Sequence, residues 1–181
     1  MGLFNRLPQR AELPSAIAAA LELARGERVL AFGVDDNTGG YVVVTTFALG
    51  VVTSTAKRIL RRRWMFVDVG SWEPETATLT VTWADGVGAG QWSFRGQQTL
   101  LPETLRERVQ ASVVIATRLN LGDRRTGRVA IRQGFETRDL VSQTILGRFT
   151  RADDPEVQAH VEAALAYLRD QVGLPALPDR R

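Results

Sequence analysis

The residues whose types and spacing best suit chemistry are Lys57, Arg58, Arg61, Arg62 and Arg63, gathered in the run KRILRRR. So dense a set of cations is a candidate ligand-binding patch for an acidic partner, either anionic lipid headgroups or an acidic protein surface. It serves equally well as the charge that keeps an edge strand from pairing with another chain. Nucleic acid fits less well, because Asp and Glu are interleaved with Arg almost everywhere else and a nucleic-acid footprint needs an extended surface of one sign. Lys57 is the only lysine, and this Arg bias follows as readily from composition as from selection for phosphate binding.

Other polar groups carry less. Asp35 and Asp36 are adjacent, and in an extended segment neighbours point to opposite sides, so they read as a turn rather than a shared proton or metal site. Asp153 and Asp154 read as the cap of a helix that starts at Pro155. His160 is the only histidine, with no cysteine beside it, so a structural zinc site is nearly excluded. Ser15, Ser54, Ser71, Ser93, Ser112 and Ser142 sit in no Gly-x-Ser-x-Gly elbow. Gly86-Val87-Gly88-Ala89-Gly90 has the composition of a phosphate loop, but it lies between two predicted strands with no following helix, which makes it a hairpin loop. Trp64, Trp72, Trp83 and Trp92 fall mostly at inward strand parity and read as core rather than as a stacking platform. No catalytic residue, metal ligand or cofactor is assigned, and the expected protein is not an enzyme.

A chain of 181 residues with 44% hydrophobic and 24% charged residues has room for one domain and an extension. With no cysteine it has no disulfide framework and no thiolate chemistry, which suits a reducing compartment. It contains no apolar run of about 18 residues, so no membrane span is expected. Met1 to Arg10 lacks the core of a signal peptide, and Arg6 stands where a myristoylation pattern needs Ser or Thr. The expected place of action is the cytoplasm, with the inner membrane face as the alternative if the patch meets lipid; Leu3 and Phe4 would then be candidates for apolar insertion.

Hydrophobic periodicity supplies the elements that hold these groups. A short helix is predicted over Pro14 to Ala24, and strands over Glu27 to Val34, Tyr41 to Thr46 and Ala48 to Thr53. Another strand, expected at a sheet edge, covers part of Arg58 to Val69. Ala77 to Ala84 alternates cleanly, with Leu79, Val81 and Trp83 inward, and Gln91 to Arg95 returns beside it. Leu101, Leu105, Val109, Ser112, Val113 and Ala116 recur at helical spacing, predicting a helix from Pro102 to Thr117. A hairpin over Arg118 to Gln133, a further strand over Leu140 to Phe149, and a final helix with Val157, Val161, Leu165, Leu168 and Val172 on one face follow.

The text GERVLAF, GYVVVTTFALGVV, RRRWMFVDVGSW, TATLTVTW, GQWSFR and LPETLRERVQASVVIAT resembles the pleckstrin-homology-like pattern. GRAM-like domains and uncharacterised actinobacterial PH-like proteins share it. The resemblance spans about Glu27 to Thr117. It implies an α+β fold, a PH-like antiparallel β-barrel or strongly bent sheet closed by one amphipathic helix, with an additional β-hairpin and terminal helix. The organisation expected is an N-terminal segment over 1–26, a core over 27–118 and an extension over 119–181 packed on that core. The function it implies is a non-catalytic binding or protein-interaction module. Peripheral binding to anionic membrane headgroups through 57–63 and nucleic-acid binding stand as the alternatives.

Overall fold

The structure, a computed structural model, describes residues 12–122 and 124–175. The readings made for Met1 to Arg10, including Leu3 and Phe4, and for Asp123 in the hairpin turn, lie outside these residues.

The described chain runs α1 (Ser15–Ala20), β1 (Val29–Val34), β2 (Tyr41–Thr45), β3 (Ala48–Val52), β4 (Arg58–Arg63), a 3-10 turn (Trp64–Phe66), β5 (Val67–Glu73), β6 (Thr78–Trp83) and β7 (Ala89–Ser93). It continues through α2 (Leu101–Ser112), β8 (Val113–Arg118), β9 (Gly127–Gln133), β10 (Leu140–Leu146) and α3 (Pro155–Gln171). The fold is α+β, with three antiparallel sheets in the orders β1-β2-β3-β4, β5-β6-β7 and β10-β9-β8; among the described residues no sheet closes into a barrel.

The expected strand within Arg58 to Val69 is broken in the middle, and the break separates the first two sheets. Trp64, Met65 and Val67 are all buried. A straight strand would send Trp64 and Met65 to opposite faces. The 3-10 turn lets both go inside, and Trp64 Nε1 donates to Thr45 O at 2.9 Å. Val42, Val44, Leu49 and Val51 of the first sheet meet Leu79, Val81 and Trp83 of the second in the main core, which α2 covers with Leu101, Leu105 and Val109. On the outer face of the first sheet, Val43 and Val52 pack against Ile17 and Leu21 of the α1 region.

The predicted helix to Thr117 ends instead at Ser112, whose Oγ donates to Val109 O at 2.7 Å. Val113, Val114, Ile115 and Thr117 are β-branched, so a helix restricts their side-chain rotation, while a strand accommodates them. They form β8, and the expected hairpin is therefore a three-stranded sheet. The inward faces of Val129 and Ile131 meet Val157, Leu165 and Leu168 of α3, which Asp154 caps by accepting from Glu156 N at 2.9 Å.

The other face of this third sheet lies against the 3-10 turn. Arg132, 3% exposed, donates to Val67 O, to Met65 O at 3.2 Å and to Trp64 O at 3.5 Å, and Gln143 Nε2 donates to Met65 O at 2.5 Å. Burial, with Arg128 nearby adding repulsion, pulls the Arg132 pKa below the ordinary arginine value to about 10, which leaves it a cation at neutral pH. The carbonyls of the turn supply the partial negative charge that holds it.

Candidate functional site

Each arginine of the basic strand reaches an acidic residue from a different part of the fold. Arg58 Nη1 lies 2.8 Å from Glu22 Oε2 and donates to Leu21 O, just after α1. Arg61 pairs at 2.5 Å with Glu27, whose side chain is fully buried and also accepts from Thr45 Oγ1 and Ala24 N. Arg62 pairs with Asp85 in the β6–β7 loop and lies 5.3 Å over the Trp83 ring. Arg63 sits 3.3 Å from Glu136 in the β9–β10 connection. Lys57 is exposed and has no ion pair among the described residues.

Strict alternation would place Arg58 with Leu60 and Arg62. A register shift between Val51 and Val52 places it opposite Val52 instead, on the α1 side with Arg61. The strand is at the edge of its sheet, as expected, but its cations tie together α1, the approach to β1, the β6–β7 loop and the third sheet. These pairs are partly exposed, so each contributes modestly except Arg61–Glu27, where the carboxylate is shielded from water.

A cleft of about 370 Å³ opens where the β1–β2 turn, the β3–β4 connection and β7 converge. Its apolar lining is Val51, Ile59, Leu60, Trp83, Ala89 and Trp92, with Asp35, Thr38, Thr53 and Gln91 supplying polar groups. No lining residue comes from α2, which packs on β5, β1, β2 and the 3-10 turn. Ile59 is 65% exposed at the cleft, and Val87 in the β6–β7 loop is 64% exposed. Gly90 has a specific part here: a Cβ would run into the Trp92 ring, so the bare backbone lets that ring lie along the strand.

Asp35 builds part of the wall of this cleft. Its carboxylate accepts from Thr38 N at 3.1 Å, Thr38 Oγ1 at 2.7 Å and Ser93 N at 2.9 Å, tying the β1–β2 turn to β7. Asp36 accepts from Arg95 N at 2.7 Å. The two adjacent aspartates thus stitch one turn to the second sheet. A second, polar hollow of about 490 Å³ lies on the outer face of β5–β7, lined by Ser71, Glu73, Thr78, Thr80, Gln91 and Ser93 among others.

Sequence parity placed Trp83 inward but gave no sign that Trp83 and Trp92 would meet Ile59 across two sheets. The only local hint was an apolar residue, Ile59, stranded among arginines. His160 is exposed, its Nδ1 2.9 Å from Glu156 O. Arg151 pairs with Asp153 and holds its carboxyl below the usual range. Among the described residues no group of three His, Cys, Asp or Glu is placed to hold a metal ion, and no helix is long and apolar enough to cross a membrane. Compared with known proteins, the chain matches no family model, no curated protein and no solved structure.

Proposed function

We propose that this protein is a non-catalytic, PH-like binding module that captures a protein partner by an apolar side chain seated between Trp83 and Trp92, acting in the cytoplasm. The observation that carries this reading is the cleft of about 370 Å³ at the meeting of two sheets, apolar inside and rimmed by polar groups. Such a concavity rewards a ligand that brings one apolar anchor and a polar surround. The arginines of β4 hold the frame around it rather than facing the ligand, because their partners Glu22, Glu27, Asp85 and Glu136 already neutralise them. This weakens the reading in which 57–63 meets anionic headgroups or nucleic acid.

Selection from a displayed random peptide library tests it. Wild type should enrich peptides with an aromatic or large aliphatic anchor, and Ile59→Asp should abolish the enrichment, since that residue is mostly solvent-facing and its change should leave the fold intact. Equal enrichment by both proteins, or none by either, overturns the proposal. Association with anionic vesicles by wild type at low salt, unchanged in Ile59→Asp, would favour the headgroup reading instead.

A further inference from the structure

We propose that β10 is a self-association edge: two copies of the chain pair antiparallel through Leu140–Leu146 about a two-fold axis at Gln143, joining their three-stranded sheets into one. β10 pairs with β9 on one side only, and its other edge is free among the described residues. A free edge presents a row of unpaired N–H and C=O groups, which proteins ordinarily blunt with charge, bulges or covering side chains.

Most of the other edges carry such protection. On β1, Gln97 bonds both N and O of Val34, and Thr99 Oγ1 donates to Phe32 O. β4 carries Arg58, Arg61, Arg62 and Arg63; β5 has Asp68, Glu73 and a register shift; β8 has a register shift and ends on Arg118. β7 is short and contains Gly90, over which the Trp92 ring lies. β10 has no charge, proline, glycine or register shift across its whole length, and every residue in it is half-buried.

The sequence of that strand, LVSQTIL, is what commits the edge to a second copy of itself. Antiparallel pairing centred on Gln143 sets Leu140 against Leu146, Val141 against Ile145, Ser142 against Thr144, and Gln143 against its own counterpart. Each position thus meets a residue of its own kind, and such directly opposed pairs are the unit of sheet stabilisation. The register is also permitted by the backbone. Opposed residues have the same parity, so the outward-pointing groups of one strand meet those of the other and form roughly six to eight hydrogen bonds. A closed two-fold contact of this kind uses one patch on both copies and ends there, without growing into a fibre.

Thr144 offers a test with two signs. Arg169 Nη1 donates to Ser142 Oγ at 2.9 Å, so in the pairing each Thr144 lies beside the arginine that serves the opposite Ser142. Sedimentation velocity of the full chain should show a dimer for wild type. Thr144→Lys should weaken it about tenfold or more and Thr144→Glu should tighten it, because the contact occurs twice per dimer. A folding defect would weaken both. Because the chain has no cysteine, the register can be read separately. Ser142→Cys mixed with Thr144→Cys should form the mixed disulfide in preference to either like pair. A wild type that stays monomeric at high concentration overturns the proposal. So does a dimer indifferent to both charges at position 144, or disulfides in statistical proportion.

Discussion

Replacing Arg132 by Met should destabilise the protein by about 2 kcal/mol. Met fills most of the volume of the arginine stem but donates nothing, so the carbonyl of Val67 loses its donor and that of Trp64 its weak one, while Met65 O keeps Gln143. Hydrogen bonds to a charged group are worth about 1.5 to 3 kcal/mol each, and the one to Val67 O is left with no replacement, so the loss is about 2 kcal/mol. It should lower the midpoint of thermal unfolding by about 4 to 8 °C for a chain of this size. The depressed pKa also fixes the sign of the pH dependence. The cost of burying the cation is fully present below about 10 and eases as pH rises from there towards the ordinary arginine value, a range in which the unfolded chain binds the extra proton. The Met variant should therefore differ from wild type by the same amount throughout the neutral range. A further Gln143→Ala change should cost more in the Met background than in wild type, because it strips Met65 O of its last donor. Urea unfolding of the single and double variants measures all of this. A Met variant as stable as wild type would refute the view that Arg132 is the donor holding the turn.

Leu105→Ala should cost about 2 to 5 kcal/mol in the same assay, since Leu105 is 1% exposed in the main core and lies where a Cβ on Gly70 would go; a near-neutral effect would mean that α2 does not cap the core. Glu27→Ala should cost about 3 kcal/mol by leaving Arg61 and Ala24 N without their acceptor, while Thr45 Oγ1 keeps Ala48 O, and denaturant midpoints will show it. Arg62, then Val87 N, holds the Asp85 carboxyl below its usual 3.8. That contribution is present above 3.8 and is lost as pH falls through the lowered value, so Asp85→Asn should flatten the acid limb of a stability–pH profile. The triple change Arg61→Glu, Arg62→Glu, Arg63→Glu should unfold the chain by setting carboxylates against Glu27, Asp85 and Glu136, which circular dichroism at neutral pH would reveal.

Local chemistry made the strands Tyr41–Thr45, Ala48–Val52 and Thr78–Trp83 legible, because alternation and β-branched residues act within a few positions of the chain. It likewise made α3 legible, since Asp154, Pro155 and the Val157 to Val172 stripe are all local signals. Where two local signals competed, the sequence was ambiguous: Val113 to Thr117 satisfied a helical period and a β-branched run together, and pairing with β9 decided for the strand. The break at Trp64–Phe66 was hidden for a different reason: it is what lets Trp64 and Met65, neighbours in the chain, both be buried. The residue types and edge position of Lys57 to Arg63 could be read from sequence, but not the acidic partners. Glu22, Glu27, Asp85 and Glu136 lie on elements that only the tertiary fold brings to that strand. The cleft is likewise a product of the fold, since Ile59, Trp83 and Trp92 belong to different sheets and become one surface only where the two sheets meet without pairing.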